Sequence, residues 1–403
     1  MGATDDAVGR PLGRVRRLLA LERNTLAVVV AMFLMALGEN LWRRFLPKYL
    51  EALGAPILAI GAYGSVEDAL DGLYQYPGGW ASDRQGRRRA LLLFVALAAL
   101  GYVVIAAAPT WPVVFVGLLL IMCWTSMASP TLFAVVGDAL PAGRRSVGFS
   151  VQAILRRLPI LVAPALGGAL IAYAGIRVGV RAGLLVSVAL AVLTLLVVRR
   201  MRLDRPAAAA PSDIRAVWRS LPGPIRRLLA SDICIRTCDA MVGVFLVLYA
   251  VDIVGVSAPA FGGLIGVQTA TVILCSLPAA HLADRVGRKP FVIATFVAFA
   301  SFPITVVAAH SLAGLVGAFV VGGLREIGEP ARKALILDLV RPDVRARGVG
   351  LYYLVRGIAI APAATVGGLL WQVSPTLPFL MAGAIGLVGV LLFTLTVEER
   401  YAG

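Results

Sequence analysis

Charged residues are scarce in this 403-residue sequence: Asp, Glu, Lys and Arg together make up only 15% of it. Lysine is confined to Lys48, Lys289 and Lys333, and histidine to His281 and His310. With 59% hydrophobic residues and a mean hydropathy of +0.87, the deficit excludes an ordinary water-soluble globule. Cysteine is equally sparse. Cys123, Cys234, Cys238 and Cys275 all fall inside apolar runs, which excludes a disulfide scaffold. No His/Cys/Asp/Glu spacing suits a metal, and no nucleophile, base and oxyanion set stands out, so neither a metal site nor an enzyme is expected. The run GGLIG at Gly262–Gly266 lacks the lysine or serine of a phosphate loop and reads as helix-packing glycine. The first apolar run is too long for a signal peptide and has no small-residue cleavage site.

What the sequence does contain is apolar stretches of about twenty residues, the length that crosses a bilayer. Twelve spans are expected, near 25–47, 57–78, 90–108, 112–136, 147–173 and 180–198, then 226–251, 258–281, 290–309, 312–338, 347–372 and 376–396. The division is a basic N-terminal arm (1–24), a six-helix bundle (25–198), a Pro/Ala-rich basic linker (199–225), a second bundle (226–396) and a tail (397–403). The net charge of +16 sits in short loops rather than on one polar face, which points to topology and a lipid bilayer and not to nucleic acid. Arginine fills the N-terminus, the linker and the loops at 84–89, 144–145, 285–289 and 341–347. The alternate loops lack it, apart from Arg177 and Arg181. The positive-inside rule then places both termini and the linker in the cytoplasm.

The two halves repeat. Glu39, Phe45 and Tyr49 recur as Asp239, Phe245 and Tyr249, and Pro130, Asp138, Arg145, Arg156, Gly167 and Gly168 as Pro330, Asp338, Arg345, Arg356, Gly367 and Gly368, at an offset of 200. Pro77, Asp83, Arg84, Gly86 and Arg87 recur as Pro278, Asp284, Arg285, Gly287 and Arg288 at 201. Six helices per repeat preserve orientation, so the repeats are parallel and a site between them is expected.

The segment GGWASDRQGRR resembles the signature loop between helices 2 and 3 of the major facilitator superfamily, with Gly79, Asp83, Arg84, Gly86, Arg87 and Arg88 fitting. The second copy fits from Asp284 onward, with Ala280 in place of the leading glycine. The resemblance spans nearly the whole chain. It implies an all-α membrane protein, twelve transmembrane helices in two six-helix pseudo-repeats, working by alternating access. It also implies a cytoplasmic gate of Asp83, Arg87 and Asp138 and, in the second half, Asp284, Arg288 and Asp338. The plainer reading is that these residues fix topology and packing. APALGG, Ala163–Gly168, resembles the helix-5 motif of the family's proton-coupled exporters. Alanine replaces its first glycine, and Pro164, Gly167 and Gly168 allow bending and close helix approach. Those exporters carry an arginine within helix 4. Here the fourth span has none, and its counterpart carries Arg325.

Ionisable residues within spans are costly and serve as functional hypotheses by default. Glu39 and Asp239 lie roughly 20 Å in from the cytoplasmic ends of their helices at 1.5 Å per residue. In the family, helices 1, 4, 7 and 10 line the cavity, which makes Glu39, Asp239, Arg236, Arg325, Glu326 and Glu329 the residues for cavity chemistry. Glu39, Asp239, Glu326 or Glu329 would carry a proton. Arg156, Arg236, Arg325 and Arg356 would hold them or meet an anionic substrate. Static ion pairing that fixes helix register is the alternative. Arg43, with Glu67 and Asp71 one turn apart, suggests either an outer gate or plain packing of helices 1 and 2. Arg43 and Arg44 are expected to snorkel to the outer interface, and Arg332 and Lys333 to the cytoplasmic one.

The resulting expectation is a monomeric secondary transporter in a bacterial cytoplasmic membrane, needing no cofactor beyond a proton gradient, that exports a small organic molecule. Uptake or exchange of an anionic metabolite, or a sensor that has lost transport, are the alternatives.

Overall fold

The computed structural model describes residues 23–129, 131–132, 145–201, 222–339 and 345–397, and every regular element among them is helical. Helix α1 (Arg23–Trp42) continues through a tight turn at Arg43–Phe45 into Leu46–Ala52. It is followed by α2 (Ile57–Gln85), α3 (Arg87–Ala107) and α4 (Trp111–Met122, extended by a π turn at Cys123–Met127). The run Arg145–Arg199 is divided at Gly175, whose φ of 80° and ψ of 164° are not helical. We number its two parts α5 (145–174) and α6 (176–199). The second half contains α7 (Gly223–Gly243, then Leu246–Leu248 and a π turn at Tyr249–Ile253), α8 (Ala258–Val286) and α9 (Lys289–Ala308). It closes with α10 (Leu312–Leu324, then Glu329–Leu339), α11 (Arg345–Ile360, then Ala363–Val373) and α12 (Leu377–Thr396).

Among the described residues, six helical runs are long and apolar enough to cross a membrane alone, and one of them, Arg157–Arg199, holds parts of two helices. The bent pair Gly223–Gly243 and Leu246–Ile253 makes a further crossing with a 48° bend. Two expected spans fall outside this count for physical reasons: helix α2 carries Glu67, Asp68 and Asp71, and α10 is broken at Arg325–Gly328. The expected continuous span 312–338 is therefore two pieces, and 347–372 breaks before Ala363. The expected linker lies mostly at 202–221, outside the described residues.

Sequence chemistry explains the ends. Ser257 and Ser311 accept hydrogen bonds from the backbone N–H groups of Ala260 (3.4 Å) and Gly314 (3.2 Å), capping α8 and α10. Gly86 and Gly287, at φ 89° and 111°, turn the chain from α2 into α3 and from α8 into α9, a backbone region that favours glycine in both copies of the arginine-rich loop. Arg177 and Arg181 are the two arginines that break the loop pattern. Arg177 donates to Ala52 O (2.9 Å from Nε) and Arg181 to Ala108 O (2.9 Å from Nη2), satisfying carbonyls at the ends of α1 and α3.

The paired glycines join the halves. A Cβ on Gly167 would lie 1.7 Å from Leu41 O, and one on Gly367 2.3 Å from Met241 O, so each seats its helix against the first helix of its own half. Gly168 meets the backbone of Ala258, and Gly368 that of Ile57, across the boundary between halves. Pro164 O in turn would be 2.2 Å from a Cβ on Gly262. The α5–α8 and α2–α11 seams are therefore backbone-close, as small-residue packing in a membrane requires.

Candidate functional site

The halves enclose a cavity of about 550 Å³, lined by residues of α1, α2, α4, α5 and α7–α10. Three backbone irregularities surround it or its neighbours: the tight turn in α1, the π turn in α4 and the break in α10. Non-helical backbone at membrane depth is tolerated where it is buried in protein or lines a cavity, and π turns recur at functional sites.

On the N-terminal side, Glu39 is 7% exposed. Its Oε1 accepts from Tyr102 Oη (2.9 Å) and Thr125 Oγ1 (3.3 Å), the latter presented by the π turn. Its Oε2 lies 3.8 Å from Arg43 Nη1. Arg43 donates through Nε to Glu67 Oε1 at 3.0 Å and again through Nη2. One guanidinium thus serves two carboxylates. Asp71 does not join it and instead accepts from Ser126 Oγ at 2.7 Å. Arg44 and Asp68 also line the cavity, and neither makes a hydrogen bond or ion pair among the described residues.

Across the cavity Arg325 donates to Asp239 through Nη1 and to Gly322 O through Nε (2.9 Å). Its guanidinium lies 4.3 Å from the centre of the Phe302 ring and 5.1 Å from that of Phe299. Glu326 meets Arg157 of the other half at 3.4 Å.

Arg236 and Glu329, expected in the cavity, do not line it. They belong to a second, buried cluster between α7, α10 and α11. Asp232 is fully buried, and its Oδ2 accepts from Arg332 Nη1 (2.6 Å), Tyr352 Oη (2.9 Å) and Arg356 Nη1 (3.2 Å). Arg332 also grips Glu329, with Nε at 2.9 Å and Nη2 at 2.7 Å from Oε2, and Arg236 donates to the same carboxylate. Three guanidinium groups therefore face two carboxylates. Among the described residues, Asp232 Oδ1, Arg236 Nε and Arg356 Nε are buried without a partner.

The expected snorkelling arginines turn inward. Arg43 and Arg44 face the cavity, and Arg332 is 2% exposed. The tight turn at Arg43–Phe45 and the break at Arg325–Gly328 re-aim these side chains in ways that span counting does not capture. Of the expected gate, Gly86 and Gly287 make the turns described, and Gly79 has open space around it. The Arg84 guanidinium sits 5.1 Å from the centre of the Trp80 ring, and Arg285 is exposed. Arg87 and Arg288 both have partners. The side chains of Asp83, Asp284, Asp338 and Arg156, and all of Asp138, lie outside the described residues. Sequence reasoning missed Tyr102, Thr125, Ser126 and Tyr352, each a hydroxyl-bearing residue inside a span. That placement inside a span was the one available signal.

A family model described as Major Facilitator Superfamily matches residues 28–233 and 228–403. An uncharacterized MFS-type transporter of Methanocaldococcus jannaschii is 20% identical over 385 residues, covering 92% of this chain and 94% of that protein. The class C tetracycline resistance protein of Escherichia coli is 28% identical over 184 residues, covering 45% of this chain and 40% of that protein. Among solved structures, a POT family transporter in complex with 5-aminolevulinic acid superposes with a TM-score of 0.79 at 14% identity, covering 93% of this chain and 96% of that one.

Proposed function

This chain belongs to the major facilitator superfamily, and from that premise we propose that it is a proton-coupled exporter of a small organic molecule. It is a multi-pass secondary transporter of that type. Coupling to protons, direction and substrate are our reading. It works as a monomer in a bacterial cytoplasmic membrane, with both termini on the cytoplasmic side.

The observation that carries the coupling is Arg43 shared between Glu39 and Glu67. Two carboxylates at one guanidinium leave a negative charge uncompensated in a desolvated place, and one proton removes it. When a proton sits on Glu67, Arg43 is free to close on Glu39. When it leaves, Arg43 is drawn back. The exchange alters ties among α1, α2, α3 and α4, because Glu39 is also held by Tyr102 and Thr125. Such a set of discrete ion pairs supplies the two states that alternating access needs.

Export is supported by the likeness to a tetracycline resistance protein and by Pro164, Gly167 and Gly168. At the end of the bundle opposite the linker the halves are tied by Lys48, which reaches Asp252 at 2.6 Å and Glu51 at 2.5 Å. In the α2–α11 seam, Thr365 N and Oγ1 both bond Ser65 Oγ, at 2.9 and 2.7 Å. In the topology we propose this is the outer side, so the state described is closed outward. The anion-uptake reading is less favoured because Arg325 and Arg356 are engaged by Asp239 and Asp232.

The test places the gene in an efflux-deficient bacterium, which is challenged with a broad panel of toxic organic compounds and organic anions beside a Glu67→Gln strain. Protection by the wild type that the variant lacks is expected. Heightened sensitivity to an anion would reverse the direction. Equal protection by both would remove Glu67 from the coupling.

A further inference from the structure

We infer that the cavity takes a zwitterion: a small molecule with an apolar body, a carboxylate bound by Arg44 and an ammonium group bound by Asp68. The inference rests on the transport reading above and names the substrate class of the same site.

The argument starts from charge pairing. Among the acidic and basic side chains lining the cavity, Glu39 is tied to Tyr102 and Thr125, Glu67 to Arg43, Asp239 to Arg325 and Glu326 to Arg157. Two remain. Arg44 on α1 and Asp68 on α2 face the same space with no hydrogen bond or ion pair among the described residues. One is a guanidinium and the other a carboxyl group, they sit on neighbouring helices, and among the described residues they are not paired with each other.

An apolar ligand entering this cavity would strip water from both groups and replace it with nothing, which disfavours binding. An amine would satisfy Asp68 and leave Arg44 desolvated, and a carboxylate would do the reverse. Only a ligand bearing both charges compensates both, and a site built to bond a group rejects the analogue lacking it. Met32, Leu132, Ile160, Ile265 and Phe302 supply the apolar part of the wall, against which the carbon chain between the two charges would lie. Both anchoring residues lie in the N-terminal half. Binding therefore leaves the Arg325–Asp239 pair of the other half intact, and a neutral zwitterion exchanged for one proton moves one net charge.

The test uses purified protein in nanodiscs, with no pH gradient. Binding is measured by calorimetry for an α,ω-amino acid series from 4-aminobutanoate to 8-aminooctanoate, and for the n-alkylamine and n-alkanoate of each length. The expected result is that at least one zwitterion binds about 10- to 100-fold tighter than its matched amine and carboxylate. Arg44→Gln should lower its affinity to that of the amine, and Asp68→Asn to that of the carboxylate. Thermal unfolding of each ligand-free variant checks that it is folded, and the ligand comparison on the wild type needs no variant. An amine or carboxylate that equals the zwitterion throughout, absence of binding by the whole series, or an unchanged preference in both folded variants would overturn the inference. Its failure is separable from that of the coupling reading. Zwitterion binding together with a pH-driven flux that survives Glu67→Gln would remove the coupling and leave the substrate class standing.

Discussion

The two halves of this transporter descend from one pattern, yet they place their buried charges in opposite ratios. In the N-terminal half Glu39 and Glu67 share Arg43, with Asp68 and Asp71 nearby on α2. In the C-terminal half Asp232 and Glu329 face Arg236, Arg332 and Arg356. A site short of cations has use for a proton, and a site with surplus cations has none. The first also opens on the cavity, whereas the second is closed among α7, α10 and α11. We therefore assign proton exchange to the first and a structural role to the second. The difference lies in what stands at the corresponding positions of the two halves. Asp232 and Arg332 correspond by the offset of 200 to Met32 and Leu132, so the repeat offers no such cluster in the N-terminal half.

The contrast is broken most forcefully at Arg332. Arg332→Gln would leave Asp232 and Glu329 buried with weakened compensation. Removing one member of a buried ion-pair set costs about 3–5 kcal/mol. Unfolding in detergent should register that loss, and a fully stable but uncoupled variant would reverse our assignment of the two clusters. A smaller effect is expected at the Arg325–Asp239 pair. Each single neutralisation should destabilise, and Asp239→Asn with Arg325→Gln together should restore part of the loss, with a coupling energy of about 0.5–3 kcal/mol in a double-mutant cycle. Additive losses would mean that the two side chains do not act as a pair.

Glu39→Gln and Glu67→Gln should alter stability by less than about 2 kcal/mol, because each replacement keeps the volume and relieves like charge. Both should abolish transport driven by a pH gradient while leaving substrate exchange at equal pH. Variants that still concentrate substrate against its gradient would end the comparison. The smallest change is expected at Lys48. Its contacts with Glu51 and Asp252 are partly exposed, so Lys48→Gln should cost no more than about 1 kcal/mol, diminishing further with salt. Labels placed across the α1–α7 ends would report a modest shift toward opening on that side.

The fold was legible because it rests on coarse signals: apolar length, the offset of 200–201 and the arginine-rich loops. Gly86 and Gly287 fell where the turns require them. The site was legible only in its charged members. Glu39 and Asp239 stood out as acids at matching depth, but nothing in the chain order says that Glu39 meets Tyr102 and Thr125 while Asp239 meets Arg325. Arg332 lies toward the expected cytoplasmic end of the tenth span, and the break at Arg325–Gly328 turns it inward instead. Helix number alone puts Glu329 and Arg236 at the cavity, which the structure does not. Which face of a helix meets the cavity depends on packing that span-level reasoning does not resolve.

The central claim, that the exchangeable proton belongs to the Glu39–Arg43–Glu67 set, is tested most directly without knowing the substrate. Infrared difference spectra of the purified protein in lipid, recorded across a pH titration, report the carbonyl band of a carboxyl group that gains a proton. The account predicts such a band in the wild type, lost or displaced in Glu39→Gln and in Glu67→Gln, and unchanged in Glu329→Gln. A band that persists in the first two variants and disappears in the third would contradict it.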